Sequence, residues 1–187
     1  MHLLTSNKHQ TGTDRVAEVA SKTDADLYVV IMGDEPLLAC EDIEKVIGAS
    51  ADASVDATVL CTAFKDPVDI INVTTQKFAL NEDNDLIYMS RSAIPYPQQD
   101  LGYPIYKNVG VYAYKRATLD FFQKTPMGRL ERAEGSEMLR LIENRKHIKA
   151  VITENFSMSV DTPKDLERIR SLIAPDSAEL KIERADL

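Results

Sequence analysis

The most informative stretch of the chain is Leu27-Tyr28-Val29-Val30-Ile31-Met32-Gly33-Asp34-Glu35-Pro36. Its unbroken apolar run, bounded by glycine and proline, predicts a strand that is buried on both faces, as in a parallel sheet. Asp34 then follows the strand at its carboxyl end, where open α/β sheets bind their ligands. A carboxylate there can hold a hard cation against a phosphate, although a polar turn that closes a core strand has the same pattern.

Length and composition limit the class of protein. The 187 residues are enough for one domain with a substantial core, and 44% apolar and 28% charged residues are typical of a soluble globular protein. The formal net charge of −8 argues against nucleic acid as the main partner. No apolar run reaches the ~20 residues of a membrane span, and the N-terminus has no signal-peptide pattern. Because Cys40 and Cys61 also lack metal or disulfide spacing, we expect a cytoplasmic protein without a membrane partner.

Apolar periodicity predicts helices that alternate with strands in the first half of the chain. A helix over 13–22, with Thr13 as its N-cap, precedes the first strand, and a second helix begins near Glu41. The apolar run at 56–64 predicts the next strand. This alternation is typical of an α/β fold with a mostly parallel sheet.

The second half of the chain predicts a hairpin followed by a mixed pattern. Strand-like runs at 77–80 and 86–89 flank a polar loop, and three prolines mark an irregular loop at 90–104. We expect the region 77–104 to be an insertion on the sheet, since so long a loop is more often functional or interfacial than not. The later patterns predict a strand, two helices, a strand and a last helix, at 105–114, 117–123, 130–143, 148–152 and from 163 onwards.

A second carboxylate, Asp161, stands in Val160-Asp161-Thr162-Pro163 before the last helix. Pro163 suits the first helical position and Thr162 or Asp161 suits the N-cap, so a structural role is the simpler interpretation. Alternatively, Asp161 meets Asp34 over the edge of the sheet. The two carboxylates would then hold Mg²⁺, which takes few carboxylates together with phosphate oxygens.

Several segments occur in the order in which they occur in one enzyme family. They are Gln10-Thr11-Gly12-Thr13-Asp14-Arg15, Gly33-Asp34-Glu35-Pro36-Leu37, Ser90-Arg91-Ser92-Ala93-Ile94-Pro95, Gly110-Val111-Tyr112-Ala113-Tyr114, the acidic stretch 130–140, and Val160-Asp161-Thr162-Pro163. Each segment is weak evidence by itself. The ordered set resembles the CMP-Kdo synthetases (3-deoxy-manno-octulosonate cytidylyltransferases) over residues 5–173.

The resemblance implies a Rossmann-like nucleotidyltransferase fold and a reaction. The hydroxyl of Kdo or a related keto-sugar acid would attack the α-phosphate of CTP, and pyrophosphate would leave. Mg²⁺ would be the cofactor, and Asp34 and Asp161 would be the catalytic and metal-binding residues. The resemblance further implies a role in lipopolysaccharide biosynthesis. We also expect a homodimer through the region 77–104, because a hairpin alone is marginal without packing.

The resemblance also implies roles for other residues. Nucleotide contacts would come from Thr11, Gly12, Thr13 and Arg15, and acceptor contacts from Met32, Arg91, Asn108, Tyr112 and Glu137. Arginine suits a carboxylate because its planar guanidinium can bind two oxygens at once. Each residue also has an ordinary interpretation, such as a helix cap, a surface charge, a sheet tyrosine or a solvated glutamate.

Three positions depart from the family pattern on the acceptor side. Met32 and Met138 stand where the family usually has glutamine, and Asn108 stands where it usually has histidine. An acceptor hydroxyl left unpaired in a pocket costs about 1–3 kcal/mol. These positions therefore leave open a related acid with fewer or different hydroxyls.

The start of the chain also departs from the family pattern, which opens with a strand and a phosphate-binding loop. We therefore expect an N-terminally truncated single domain at 1–175, followed by a charged tail at 176–187, and we do not expect full turnover from the chain alone.

Two alternatives remain open. One is a cytidylyltransferase for another acidic acceptor, sialic-acid-like or a phosphonate, and the other is an inactive fragment or non-catalytic module that needs a partner chain.

Overall fold

The computed structural model describes residues 2–96, 98–99 and 104–173. Its strands are β1 (Leu27–Ile31), β2 (Ala57–Ala63), β3 (Lys77–Leu80), β4 (Leu86–Ser90), β5 (Tyr106–Lys115) and β6 (Ile148–Ile152). Its helices are α1 (Gly12–Lys22), α2 (Cys40–Ala49), α3 (Arg116–Lys124), α4 (Arg129–Glu134), α5 (Met138–Glu143) and α6 (Pro163–Ile173), with a 3₁₀-helix at Pro67–Ile71. None of the helices within those ranges combines the length and the apolar character that crossing a bilayer requires. The predicted tail at 176–187 lies outside the described residues, as do residues 97 and 100–103 of the predicted insertion.

The sheet is built around β5, which is long enough to pair with three other strands. It runs antiparallel to β2 along one edge, where Thr58 lies opposite Ala113. Along its other edge it pairs with β3 near its start and with β1 near its end, with Phe78 opposite Tyr106 and Val29 opposite Ala113. β4 extends the sheet beyond β3, and β6 lies parallel to β2.

The α/β fold class is confirmed, and the sheet is mixed rather than mostly parallel. Among the pairs of described strands, only β2 and β6 are parallel. An unbroken apolar run indicates burial on both faces, and an antiparallel strand between two layers of helices has the same burial as a parallel one. β2, which pairs antiparallel with β5 and parallel with β6, is buried along almost its whole length. The predicted burial of β1 on both faces is wrong, because β1 is buried only at Tyr28 and Ile31 is 49% exposed.

Two apolar clusters cover opposite faces of the sheet. Val109 and Val111 of β5 pack with Val46 of α2 on one face. Tyr112 and Tyr114 belong to the other face, which is covered by residues of α1, α3 and α5. Because successive side chains of a strand point to opposite faces, the alternation along β5 directs both tyrosines towards α1 and α5.

The hairpin is confirmed, and the helical boundaries differ from the prediction in two places. β3 and β4 pair antiparallel, with Phe78 opposite Met89. The helix predicted over 130–143 is divided into α4 and α5, because Gly135 has a φ of 65° and ends α4 in the left-handed conformation. The N-cap of α1 is Thr11 instead of Thr13, because the Thr11 hydroxyl accepts from the Asp14 N–H at 3.1 Å.

A buried ion pair joins α4 to α5. Arg140 Nε and Nη2 donate to the two carboxylate oxygens of Glu131, both at 2.6 Å, and both side chains are almost fully buried. The Arg140 guanidinium also lies 3.7 Å from the ring centroid of Phe122 and donates to two backbone carbonyl groups. The pair therefore fixes the α4–α5 connection, which carries Glu137.

Arg140→Met should lower the free energy of unfolding by about 3–5 kcal/mol, because it leaves the Glu131 carboxylate buried without its cation. Adding Glu131→Leu should recover much of this loss, since both charges are then absent and apolar volume is kept. Urea unfolding of the two variants measures the difference. A double variant that is less stable than the single variant would contradict the prediction.

Candidate functional site

A cavity of about 190 Å³ lies between the start of α1, the ends of β1 and β5, and the α4–α5 connection. Five residues that the resemblance assigns to nucleotide or acceptor binding line this cavity: Gly12, Thr13, Met32, Tyr112 and Glu137. They come from four separate parts of the chain, and the fold brings them to one cavity. Apolar and amide side chains complete the lining, among them Met89, Met138 and Gln76.

Glu137 closes one end of the cavity by binding the start of α1. Its Oε1 accepts from the Gly12 N–H at 2.8 Å, and its Oε2 accepts from the Thr13 N–H at 2.7 Å. A carboxylate is stabilised there because the first N–H groups of a helix lack partners and carry partial positive charge. These hydrogen bonds join residues with different predicted roles. Contact with the nucleotide is predicted for Gly12 and Thr13, and contact with the acceptor is predicted for Glu137. An anion that uses these N–H groups has to displace Glu137.

The tyrosines of β5 form a wall of the cavity. Asn108 Nδ2 donates to the Tyr112 hydroxyl at 2.6 Å, and the Tyr114 hydroxyl lies 3.4 Å from Thr13 Oγ1. Burial raises the pKa of Tyr112 to about 12, so its hydroxyl stays protonated at neutral pH. Since Asn108 already donates to that oxygen, the Tyr112 O–H is left to donate to a bound molecule.

The turn after β1 places Asp34 next to the segment that leads to Asp161. The Val160 N–H donates to the Asp34 carbonyl oxygen at 2.9 Å, which brings two segments together that are over a hundred residues apart in the sequence. Asp34 Oδ1 is buried and has no hydrogen-bond partner among the described residues, whereas Asp161 is exposed. The orphaned carboxylate oxygen of Asp34 is therefore placed to accept a cation.

Two carboxylates are too few to hold a metal ion through protein side chains alone, but this number and type of donor is what Mg²⁺ usually takes from a protein. Within the described ranges, no group of three or more histidine, cysteine, aspartate or glutamate side chains could hold a metal ion. Mg²⁺ does not require such a group, because it is usually bound by one or two carboxylates together with waters and substrate phosphates.

Glu35 is a site residue that sequence analysis did not single out. Its buried carboxylate accepts from the Gly110 N–H of β5 and from the hydroxyls of Ser157 and Ser159. The only sequence signal is the alternation of Ser157 and Ser159 before Asp161, because residues two apart in an extended segment point the same way.

Arg91 lies elsewhere, so the prediction that it joins the other acceptor residues finds no support in the geometry. Its guanidinium is exposed and donates to the carbonyl oxygens of Val73 and Thr74. Its own carbonyl oxygen accepts from Lys77 Nζ at 2.7 Å. Lys77 is fully buried, and burial, followed by the charge of Arg91, lowers its pKa. The two cations thus hold the backbone around residues 72–75 and 91.

Two of the predicted nucleotide residues also lie outside the cavity lining. Arg15 is exposed, and its Nη1 donates to the Thr5 hydroxyl and the Ser6 carbonyl oxygen. Thr11 serves as the N-cap of α1. Both are close in sequence to Gly12 and Thr13, which do line the cavity, but their own side chains bind neighbouring protein groups.

Comparison with known proteins is consistent with this geometry. A sequence-family profile described as cytidylyltransferase matches residues 2–148. The chain is 36% identical over 178 residues to the 3-deoxy-manno-octulosonate cytidylyltransferase of Escherichia coli, which represents 95% of this chain and 72% of that relative. It is 40% identical over 171 residues to the protein of the same name from Solibacter usitatus (strain Ellin6076), or 90% of this chain and 68% of that relative.

Solved structures show the same fold. The structure of CMP:2-keto-3-deoxy-manno-octonic acid synthetase complexed with CTP matches with a TM-score of 0.86 and 36% identity, covering 92% of this chain and 72% of that chain. A glucose-1-phosphate thymidylyltransferase from Bacillus anthracis matches with a TM-score of 0.60 and 16% identity over 89% of this chain and 62% of that chain, a likeness of fold alone.

Fold and cavity together define a nucleotidyltransferase. More narrowly, the chain belongs to the cytidylyltransferase family.

Gly110→Ala should destabilise the protein by about 1–3 kcal/mol, because the cavity wall and the turn after β1 leave no room for a methyl group. A Cβ at this position would lie 2.7 Å from Met32 Cβ and 3.0 Å from Glu35 Cγ. Gly48→Ala in α2 is the matched control, since nothing lies within 4 Å and alanine favours a helix. Thermal unfolding of both variants checks the prediction, which an equally tolerated Gly110→Ala would refute.

Glu134 should make stability depend on pH in the acid range. Burial raises the pKa of this carboxyl, but hydrogen bonds from the Ser90 hydroxyl and the Arg91 N–H lower the pKa by more than burial raises it. The pKa in the folded protein therefore lies below the ordinary 4.5. Its stabilisation is therefore complete above pH 4.5 and is lost as the pH falls through the folded value. Between about pH 6 and about pH 3, Glu134→Gln should lose less thermal stability than the unaltered protein.

The control for this measurement is Glu44→Gln, which alters an exposed glutamate of α2. Its melting temperature should follow the pH in the same way as that of the unaltered protein. If Glu134→Gln also follows the unaltered profile, the hydrogen bonds around Glu134 do not contribute to acid stability.

Proposed function

We propose that this chain transfers CMP from CTP to the anomeric hydroxyl of Kdo or a related keto-sugar acid and releases pyrophosphate. The curated relatives are named for this acid, and the related solved structure is a complex with CTP. Dependence on Mg²⁺ is part of the proposal.

The observation that best supports this proposal is the position of the buried polar atoms that have no hydrogen-bond partner. Among the described residues, only two buried side-chain N or O atoms have no hydrogen-bond partner, Asp34 Oδ1 and Asn108 Oδ1. Such an atom costs about 1–3 kcal/mol, and it is explained when a ligand provides the partner. A cation would match Asp34, and a hydroxyl donor would match Asn108. A magnesium–nucleotide complex and a polyhydroxy acid offer these two groups.

The reaction makes one bond to phosphorus and breaks another, and the acceptor hydroxyl gives up its proton. The acceptor oxygen bonds to the α-phosphorus of CTP and releases its proton to solvent, while the bond from that phosphorus to the oxygen that bridges the β-phosphate breaks and pyrophosphate leaves with the electron pair. Asp34 and Asp161 would hold Mg²⁺. When bound, this ion supplies positive charge to the phosphate oxygens and lowers the pKa of a coordinated hydroxyl.

The chain's own side chains orient the reactants, which is the main need of phosphoryl and nucleotidyl transfer. Tyr112 would donate a hydrogen bond to the acceptor from the wall of the cavity. Asn108 holds the Tyr112 ring in place through the hydroxyl. Glu137 keeps α1 against the cavity by binding its first N–H groups.

The lining of the cavity favours a second acceptor class, a keto acid with fewer hydroxyls than Kdo. Met32, Met89 and Met138 all line the cavity and offer no strong hydrogen-bond donor or acceptor. Comparing kcat/KM for Kdo with that for deoxygenated analogues separates the two acceptors.

Two further proposals concern the state of the protein. We propose a cytoplasmic homodimer that forms through the region 77–104, which includes β3 and β4. Light scattering after size-exclusion chromatography measures the mass, and a monomer at all concentrations would refute the dimer.

Asp34→Asn and Asp161→Asn should each lower Mg²⁺-dependent pyrophosphate release from CTP and Kdo by about a hundredfold or more, because metal positioning is worth several kcal/mol. Asp24→Asn, at an exposed aspartate between α1 and β1, is the control and should leave the rate unchanged. Undiminished release by Asp34→Asn would refute the assignment of this carboxylate. No release by the unaltered chain with any acidic acceptor would refute the proposed function of the chain alone.

A further inference from the structure

Glu35 joins three parts of the chain that are distant in sequence. Its Oε1 accepts from the Gly110 N–H at 3.3 Å and from the Ser159 hydroxyl at 2.5 Å, and its Oε2 accepts from the Ser157 hydroxyl at 2.5 Å. The side chain is only 7% exposed. Each carboxylate oxygen therefore has a donor, and none of these donors comes from the turn that carries Glu35 itself.

The backbone adds two hydrogen bonds to the same junction. The Met32 N–H donates to the Gly110 carbonyl oxygen at 2.8 Å, which fixes the end of β1 on β5. The Val160 N–H donates to the Asp34 carbonyl oxygen at 2.9 Å, which fixes the segment 157–160 on the turn. The Glu35 side chain and the Asp34 backbone therefore hold the same segment, one residue before Asp161.

We infer that Glu35 is a positioning residue that fixes the segment 157–160 on the Asp34 turn and thereby sets where Asp161 stands relative to Asp34. Its effect on catalysis rests on the proposed function, because only a shared ligand makes the relative position of the two aspartates matter. The segment itself has irregular backbone between β6 and α6, so it depends on these contacts for its place.

The geometry assigns Glu35 a role through hydrogen bonds rather than through charge. Glutamine has nearly the same shape, can accept from Gly110 and Ser159 with its carbonyl oxygen, and can donate to the Ser157 hydroxyl. Leucine keeps apolar volume but leaves all three donors without their acceptor. The two replacements therefore separate positioning from a direct role of the negative charge.

The first readout is amide hydrogen exchange of Val160 in the protein without CTP or Mg²⁺. Glu35→Leu should speed this exchange by at least about tenfold, because the segment loses its side-chain anchor, while Glu35→Gln should stay close to the unaltered protein. Asp42→Leu is the matched control. Asp42 is also buried and accepts from Thr153 and Asn155, at the start of the same connection, but it makes no hydrogen bond to the described residues 157–160.

The second readout is the Mg²⁺ concentration that gives half-maximal pyrophosphate release from CTP and Kdo. Glu35→Leu should raise it about ten- to hundredfold, as is typical when a residue that orients a metal ligand is lost, and Glu35→Gln should largely restore it. Asp42→Leu should leave it unchanged although the melting temperature falls. If Glu35→Leu does not fold, Ser159→Ala, which removes one donor, should shift both readouts in the same direction by a smaller factor.

The outcomes distinguish this inference from the proposed function. Unchanged Val160 exchange in Glu35→Leu overturns the inference, as does faster exchange with an unchanged Mg²⁺ requirement. Equal loss of activity in Glu35→Gln and Glu35→Leu, with normal exchange in Glu35→Gln, overturns it in favour of a direct role of the charge. If the unaltered chain releases no pyrophosphate, the proposed function fails, and the exchange measurement alone decides whether Glu35 holds the segment.

Discussion

A carboxylate that is removed from water needs hydrogen-bond donors, because leaving it unpaired costs several kcal/mol. In this acidic chain, the donors come from other segments, most of them distant in sequence from the carboxylate. Glu35 binds the segment before α6, and Glu137 binds the start of α1. Glu134 binds the end of β4, and Glu131 binds Arg140 of α5. The helices and turns around the cavity therefore keep their places through acids that act as hydrogen-bond acceptors. Of these four carboxylates, Glu35 and Glu131 are buried, whereas Glu134 and Glu137 are half-buried.

The two halves of the candidate site share one strand. Gly110 of β5 contacts the turn that carries Asp34, and Tyr112, two residues later, lines the cavity beside Glu137. Gly110 is required there because even a Cβ would collide with Met32. A small displacement of β5 would therefore move the turn that carries Asp34 and the Tyr112 wall of the cavity together. This arrangement suits a reaction that depends on alignment of two reactants more than on covalent chemistry.

Sequence patterns located the elements well but not their partners. The apolar run at 27–32 identified β1 and the turn that carries Asp34, because strand propensity and turn chemistry are local properties. Antiparallel pairing with β5 could not be predicted in this way, since the choice of partner strand depends on residues about 80 positions away. The contact between Glu137 and Thr13, which are 124 residues apart, was hidden for the same reason. The contacts of Arg91 were hidden as well, because its guanidinium binds the backbone carbonyl groups of Val73 and Thr74, which sequence spacing does not reveal.

The position of β5 in the sheet also determines when the domain can form during synthesis. β1, β2 and β3 all use β5 as a partner, but β5 lies about 75 residues after the end of β1. At ~5–20 residues per second, a ribosome needs several seconds to make that interval. The edge of β1 therefore stays unpaired with β5 on the nascent chain for that time, and the edge of β2 for a shorter one, and unpaired strand edges promote aggregation. Among the helices α1 to α6, only α1 and α2 precede β5 in the chain, so assembly of the sheet is expected to wait for its central strand.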